Sequence, residues 1–440
     1  MKLYSTKNKS HIVSLQEAVF KGLPEDNGLY MPDYIPRLPD TFLDRLNSFS
    51  FQEIGFEIAK ALFRGEIPDS DLRQIIDHAI NFPAPVIALD DDVHVLELFH
   101  GPSLAFKDFG ARFMSQLMSY FNRGESKELV ILVATSGDTG GAVAAGFYKT
   151  PGIRVVILYP SGKVSHLQEC QLTTLGHNVA ALEIAGTFDD CQAMVKQAFL
   201  DQQMRNSIRL SSANSINIAR LIPQSFYYFE AFKQVNTGRP VVFSVPSGNF
   251  GNLTAGLLAY EMGLPVHHFI AATNINDVVP QYLSTGVFTP RPSVRTLSNA
   301  MDVGNPSNFH RIIDLYLDKD ECSTWNNLRK MVTGYGYNDE STKQAMCEVF
   351  QRYGYVIDPH GAVGYLALRD FQGNKSNPKT AGVVLETAHP SKFKDDVELT
   401  LQASIEVPDR LQELAMQPKM SFPLPPEYSA LKGWLMDHLT

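Results

Sequence analysis

The sequence predicts an α/β fold whose parallel sheets are covered by helices, preceded by a small α/β unit at the N-terminus. Three observations carry this. Beyond Val93, apolar β-branched runs alternate with glycine-rich turns and helical stretches, the texture of strands buried on both faces. Residues 1–92 lack that texture and show short helical patterns between proline-marked breaks. A length of 440 residues exceeds what one compact core holds and suggests two or three domains.

In the N-terminal unit the helical patterns are Ser14–Phe20, Phe51–Phe63 and Asp69–Ile80, separated by Met31-Pro32-Asp33 and followed by Phe82-Pro83-Ala84-Pro85. The strand runs that follow are Glu128–Ala134, Ile153–Tyr159, Asn178–Ile184, Pro240–Val245, His267–Ala272 and Thr380–Glu386. Residues 273–354 read as irregular and helical, and the tail after Val407 is expected to pack outside the sheets.

Hydrophobic residues make up 44% and charged residues 19%, enough for a large core. A formal net charge of −9 argues against nonspecific binding to nucleic acid or acidic membranes, which needs excess Lys and Arg. No run approaches the roughly 20 apolar residues of a membrane span, and the polar N-terminus lacks a signal-type apolar stretch. Cys170, Cys191, Cys322 and Cys347 are scattered without a CxxC pair. That is poor material for a disulfide framework or a zinc site, so no metal and a cytoplasmic location are expected.

Three segments carry chemistry. In FHGPSLAFKDFGARF, Phe109, Phe113, Leu117 and Phe121 recur every four residues, predicting a helix from near Ser103, its N-cap, to Phe121. Lys107 would sit about one turn inside, among Phe99, Phe106 and Phe109, where desolvation and the helix dipole both favour a neutral amine. An ordinary surface lysine fits the same local pattern. The second segment is the strand ending at Ala134, then Thr135-Ser-Gly-Asp-Thr-Gly-Gly141 and a small-residue helix. Strand, glycine turn and helix N-terminus form an anion site, although a plain βα loop reads alike. The third, Pro246-Ser-Gly-Asn-Phe-Gly-Asn252 after Val241–Val245, has the same logic. Two such loops suggest a phosphorylated cofactor beside an anionic substrate. GxGxxG and the Gly-Lys-Ser/Thr ending are absent, against a dinucleotide fold or nucleotide P-loop.

Together, FHGPSLAFKDFGARF, ATSGDTG, SVPSGNFGN, LETAHPSKF and the MKLYSTKNKS…GLYMP start resemble the threonine synthase family over nearly the whole chain. The resemblance implies pyridoxal 5′-phosphate (PLP) and fold type II, with two catalytic subdomains. Residues 1–92 would form the N-terminal domain and 93–440 the catalytic region, a mobile subdomain of about 110–235 being inserted in the larger one. The implied reaction converts O-phospho-L-homoserine and water to L-threonine and phosphate. Lys107 would be the Schiff-base lysine. Gly248, Asn249, Phe250, Gly251 and Asn252 would hold the cofactor phosphate, and Thr387 the ring nitrogen. Thr135, Ser136, Gly137 and Thr139 would receive the substrate carboxylate. Asp138 would line the cofactor O3′ side, where relatives on this scaffold commonly carry Asn, so a carboxylate there needs compensation. For the leaving phosphate, Lys163 with Ser161 and Ser165 is the first candidate, and the polar run Ser211–Asn217, which includes Asn214, with Arg220 one turn on is the second. Other readings are a dehydratase or β-replacement enzyme on the same scaffold, and a non-catalytic relative that binds a phosphorylated amino acid. A monomer or homodimer is expected.

Overall fold

The computed structural model describes residues 1–235 and 237–439. The N-terminal unit is built around a three-stranded antiparallel sheet of β1 (Lys2–Ser5), β2 (Asn8–Ser14) and β3 (Tyr30–Pro32), in the order β2-β1-β3. Ser14 ends β2 and accepts the Glu17 N–H, so one hydroxyl closes a strand and caps the Leu15–Lys21 helix. The Phe51–Phe63 helix opens with a Ser50/Glu53 capping box and buries Phe51, Ile54, Ile58, Leu62 and their neighbours along one stripe.

Two sheets carry the rest. The larger comprises β4 (Val86–Ala88), β5 (Val93–Glu97), β10 (Val241–Pro246), β11 (His268–Thr273), β12 (Val332–Gly336) and β13 (Ala381–Glu386), ordered β12-β11-β10-β13-β5-β4. All neighbours are parallel except β4, which runs antiparallel to β5. The smaller contains β6 (Leu129–Ala134), β7 (Ile153–Pro160), β8 (Val179–Ile184), β9 (Arg209–Ser211) and β14 (Phe422–Leu424), ordered β14-β8-β7-β6-β9 and parallel throughout. Strands β10, β11 and β13 are buried along their whole length, which is why they read as unbroken apolar runs.

Two expectations change. The tail does not lie outside the sheets: β14 pairs with β8 at Phe422–Leu182 and Leu424–Ile184. Leu431 and Leu435 of the following Tyr428–Leu439 helix then join the core around Cys191, Met194 and Leu182. The 273–354 segment is indeed mostly helical, but its Val332–Gly336 stretch adds an edge strand to the larger sheet.

The Lys107–Phe121 helix ties the parts together. Phe109 meets Phe82 at 4.6 Å, Tyr227 at 5.2 Å and Phe51 at 5.8 Å between ring centroids, and Phe113 meets Phe63. The N-terminal unit therefore packs directly on the helix that bears the candidate lysine.

Candidate active site

The site lies beyond the carboxyl ends of the strands, where parallel α/β sheets place their ligands. Strands β10 and β13 are neighbours, so the loops that follow Pro246 and Glu386 leave the larger sheet side by side. The segment before Lys107 is stitched to the second loop. The Phe106 N–H donates to the Thr387 carbonyl (2.9 Å), the His389 N–H donates to the Leu104 carbonyl (3.0 Å), and Ala105 bridges to Ala388.

This stitching alters the expected helix start. With Leu104 at φ +58° and the backbone pinned to the Thr387–His389 segment, helical geometry begins at Phe106 and Lys107 is the first residue of the helix. Ser103 does not cap it: its hydroxyl is buried without a partner, and its carbonyl accepts from Gln171 Nε2 (3.0 Å) and Lys392 Nζ (2.9 Å). Lys107 is thus nearer the positive end of the dipole than expected. Burial lowers its pKa, and the nearby Lys392 and Arg220 cations push the same way against the opposing pull of Asp138.

Asp138 finds its compensation in Lys392, which the sequence reading passed over. Lys392 Nζ lies 2.7 Å from Asp138 Oδ1, whereas Lys107 Nζ lies 3.8 Å from Oδ2. Gln168 Nε2 adds a hydrogen bond of 3.1 Å. Burial alone would raise this carboxyl, but the two ammonium groups hold it well below the usual carboxylate range. Lys392, Gln168 and Gln171 therefore belong to the site. Lys392 stood in the quoted LETAHPSKF stretch, yet nothing local said where its head would go.

The loop around Asp138 is self-capped. Thr135 Oγ1 accepts the N–H groups of Gly137 (3.0 Å) and Gly140 (2.8 Å). Gly137 takes φ +139°, open only to glycine, and a Cβ there would stand 2.6 Å from Gln168 Cδ. Ser136 is exposed and Thr139 half-buried on the first turn.

The second loop is shaped for an anion. The N–H groups of Gly248, Asn249, Phe250, Gly251 and Asn252 have no acceptor among the described residues, and they lead into the Gly251–Glu261 helix. Phe250 adopts φ +60°, which turns the chain into that helix. A Cβ at Gly248 would meet the Ala300 carbonyl at 2.6 Å, so glycine is needed for close approach. Asn252 Oδ1 accepts from Tyr227 (2.7 Å) and Tyr228 (2.8 Å), leaving its buried Nδ2 without a partner. Orphaned donors beside a helix N-terminus are the complement of a phosphate. The residues present fit the cofactor phosphate.

Of the remaining predicted residues, Arg220 is buried, donates to the Ala213 carbonyl (2.7 Å), keeps an unpartnered Nε, and lies against Gly110 of the lysine helix. Burial lowers its pKa to about 10. Asn214 is exposed, next to Ser215, whose hydroxyl accepts from Asn249 Nδ2 (3.1 Å). Ser161 and Lys163 are exposed on the turn after β7, with Ser161 bound to Glu183 (2.6 Å); the structure does not bring them to Lys107. Among the described residues no helix is long and apolar enough to cross a membrane, and no three His, Cys, Asp or Glu residues are grouped to hold a metal ion.

Residues 82–386 match the profile "Pyridoxal-phosphate dependent enzyme", residues 2–80 "Threonine synthase N terminus" and residues 361–434 "Threonine synthase, C-terminal". Threonine synthase of Escherichia coli is 47% identical over 441 residues, spanning 100% of both chains. The PLP-bound threonine synthase structure from Brucella melitensis superposes with a TM-score of 0.95 at 33% identity, covering 100% of this chain and 99% of that one. The yeast threonine synthase structure gives 0.92 at 32% identity, covering 99% and 98%. The fold and its cofactor are those of a fold-type-II pyridoxal phosphate enzyme. Matches along the whole length narrow the class further. The chain belongs to the threonine synthase family.

Proposed function

We propose that this enzyme converts O-phospho-L-homoserine and water to L-threonine and phosphate. One observation carries the proposal: a largely buried Lys107 amine at a helix N-terminus lies 3.8 Å from Asp138, which opens the helix after one glycine loop, while the other glycine loop leaves β10 with its backbone N–H groups free.

Bound pyridoxal phosphate supplies an electron sink for negative charge developing next to the substrate's amine. The chain's residues do the rest. Gly248–Asn252 would hold the cofactor phosphate and Thr387 would serve the ring nitrogen as a neutral partner. The free N–H groups at the start of the Asp138–Phe147 helix receive the substrate carboxylate. Asp138 is neutralised by Lys392, so it does not repel that carboxylate. Lys107, whose amine burial shifts toward the neutral form, removes the proton from Cα and delivers protons along the Cα–Cγ edge. Phosphate leaves from Cγ and water adds at Cβ. For the leaving phosphate the buried Arg220 is the better candidate, because its charge acts on the Lys107 amine and its Nε is left without a partner. Lys163 becomes the stronger candidate only if the smaller sheet unit moves toward the larger over substrate, a closure we also propose for excluding stray water. The four scattered, free cysteines support a reducing, cytoplasmic setting.

The test measures inorganic phosphate and threonine from O-phospho-L-homoserine, against ammonia from threonine, for the wild type and Lys107→Ala. Phosphate and threonine in equal amounts, lost in the variant, support the proposal. Ammonia without phosphate release favours a dehydratase on the same scaffold. Borohydride attachment of the pyridoxyl group to another lysine would remove Lys107 from its role.

A further inference from the structure

The Arg311 guanidinium is fully buried and, among the described residues, pairs with no carboxylate. It donates to the Tyr30 carbonyl (2.9 Å), the Ile216 carbonyl (2.7 Å) and Asn308 Oδ1 (2.6 Å). A guanidinium can only donate, so the amide oxygen of Asn308 must face it and Nδ2 must face away. That Nδ2 is buried without a partner and lies 3.3 Å from where a Cβ on Gly251 would stand. The adjoining Ser307 N–H donates to Asn249 Oδ1 (2.6 Å), which fixes the same segment against the loop. On the other side, Asn252 Nδ2 is oriented the same way by two tyrosine hydroxyls and is also unpartnered. Unpaired buried donors are destabilising, so two of fixed orientation, one on the first turn of the Gly251–Glu261 helix and one packed against it, mark an acceptor that arrives with a ligand.

The geometry points to Asn308 as a further ligand of the cofactor phosphate, with Arg311 as its positioning residue. This rests on the reading of Gly248–Asn252 as the phosphate cradle. It adds a side chain from outside that loop, and it adds a route by which the N-terminal unit reaches the cofactor: the Tyr30 carbonyl at the start of β3 anchors the guanidinium that aims the amide.

The test titrates the full-length apoprotein with pyridoxal 5′-phosphate and, separately, with pyridoxal, which lacks the phosphate, reading near-visible absorbance. Asn308→Asp keeps the shape and the Arg311 contact but puts a carboxylate where a donor stood. Its affinity for pyridoxal 5′-phosphate should fall by about tenfold or more while that for pyridoxal stays within about twofold. Asn308→Ala, which adds no charge, should show the same selective loss, and the phosphorus resonance of the bound phosphate should move in both variants. Equal weakening of both ligands would mean a purely structural role and overturn the assignment, as would unchanged affinity for pyridoxal 5′-phosphate. A wild type that binds both ligands alike would instead overturn the cradle itself, and Asn308 with it.

Discussion

Replacing Lys392 with methionine removes a charge but keeps most of the side-chain stem, and it isolates how the site tolerates Asp138. The pair is buried, with the Lys392 side chain 1% exposed and Asp138 9%. At an effective dielectric near 20, the 2.7 Å contact carries about 6 kcal/mol of gross attraction and the 3.8 Å approach of Lys107 about 4 kcal/mol. Desolvation offsets much of this in the intact pair, but deleting one partner leaves a buried charge and typically costs about 3–5 kcal/mol. Lys392→Met should therefore lower the urea unfolding midpoint clearly. Adding Asp138→Asn should restore much of it, because the stranded charge is gone. A second effect separates function from stability. Lys392 depresses the Lys107 pKa, so its loss keeps Lys107 protonated to higher pH, and the rise of activity with pH should move alkaline. An unmoved profile together with wild-type stability would refute the idea that Lys392 is the counter-charge of Asp138.

Two further outcomes follow from the geometry. Burial pushes the Asp108 carboxyl up to about 6 from an ordinary 3.8, so the folded protein binds this proton more tightly than the unfolded chain and loses stability as pH rises between those values. Asp108→Asn should be more stable than wild type above pH 6, by about 3 kcal/mol at most, with the gap closing below pH 4; urea midpoints with the same gap at both ends would contradict this. Gly137→Ala forces a Cβ into φ +139° and against Gln168, straining the turn by about 1–3 kcal/mol. KM for O-phospho-L-homoserine should rise several-fold with little change in pyridoxal phosphate binding, and an equal loss of both would place this loop against the cofactor instead.

What could be read in advance was what local sequence encodes. Each glycine loop lies between an apolar strand and a small-residue helix, so ATSGDTG and SVPSGNFGN read as candidate anion sites from local sequence alone. The Phe51–Phe63 helix carries its own capping box and apolar stripe and falls where its periodicity placed it. Long-range partners were not legible. Lys392 is an ordinary basic residue until the chain brings it to Asp138, and Arg311 is one until the distant Tyr30 and Ile216 carbonyls join the nearby Asn308 amide oxygen around it. Strands β1 to β3 and β12 are short, polar or glycine-bearing, and exist because a neighbour pairs with them. The start of the Lys107 helix moved for the same reason: an exit loop from β13, far along the chain, pins the backbone of Leu104–Phe106 just before it.

The pairing of β14 with β8 reaches beyond architecture, because it places the last piece of the smaller unit at the end of synthesis. A chain that stopped at Val407 would contain Lys107, both loops, Asp138 and Lys392, yet it would leave the outer edge of β8 unpaired and the apolar side of the Phe188–Leu200 helix uncovered by Leu431 and Leu435. An open strand edge beside bare apolar surface invites association between copies. The smaller unit is closed by a strand and a helix far along the chain from β8, so its exposed edge and apolar face persist until those segments are in place.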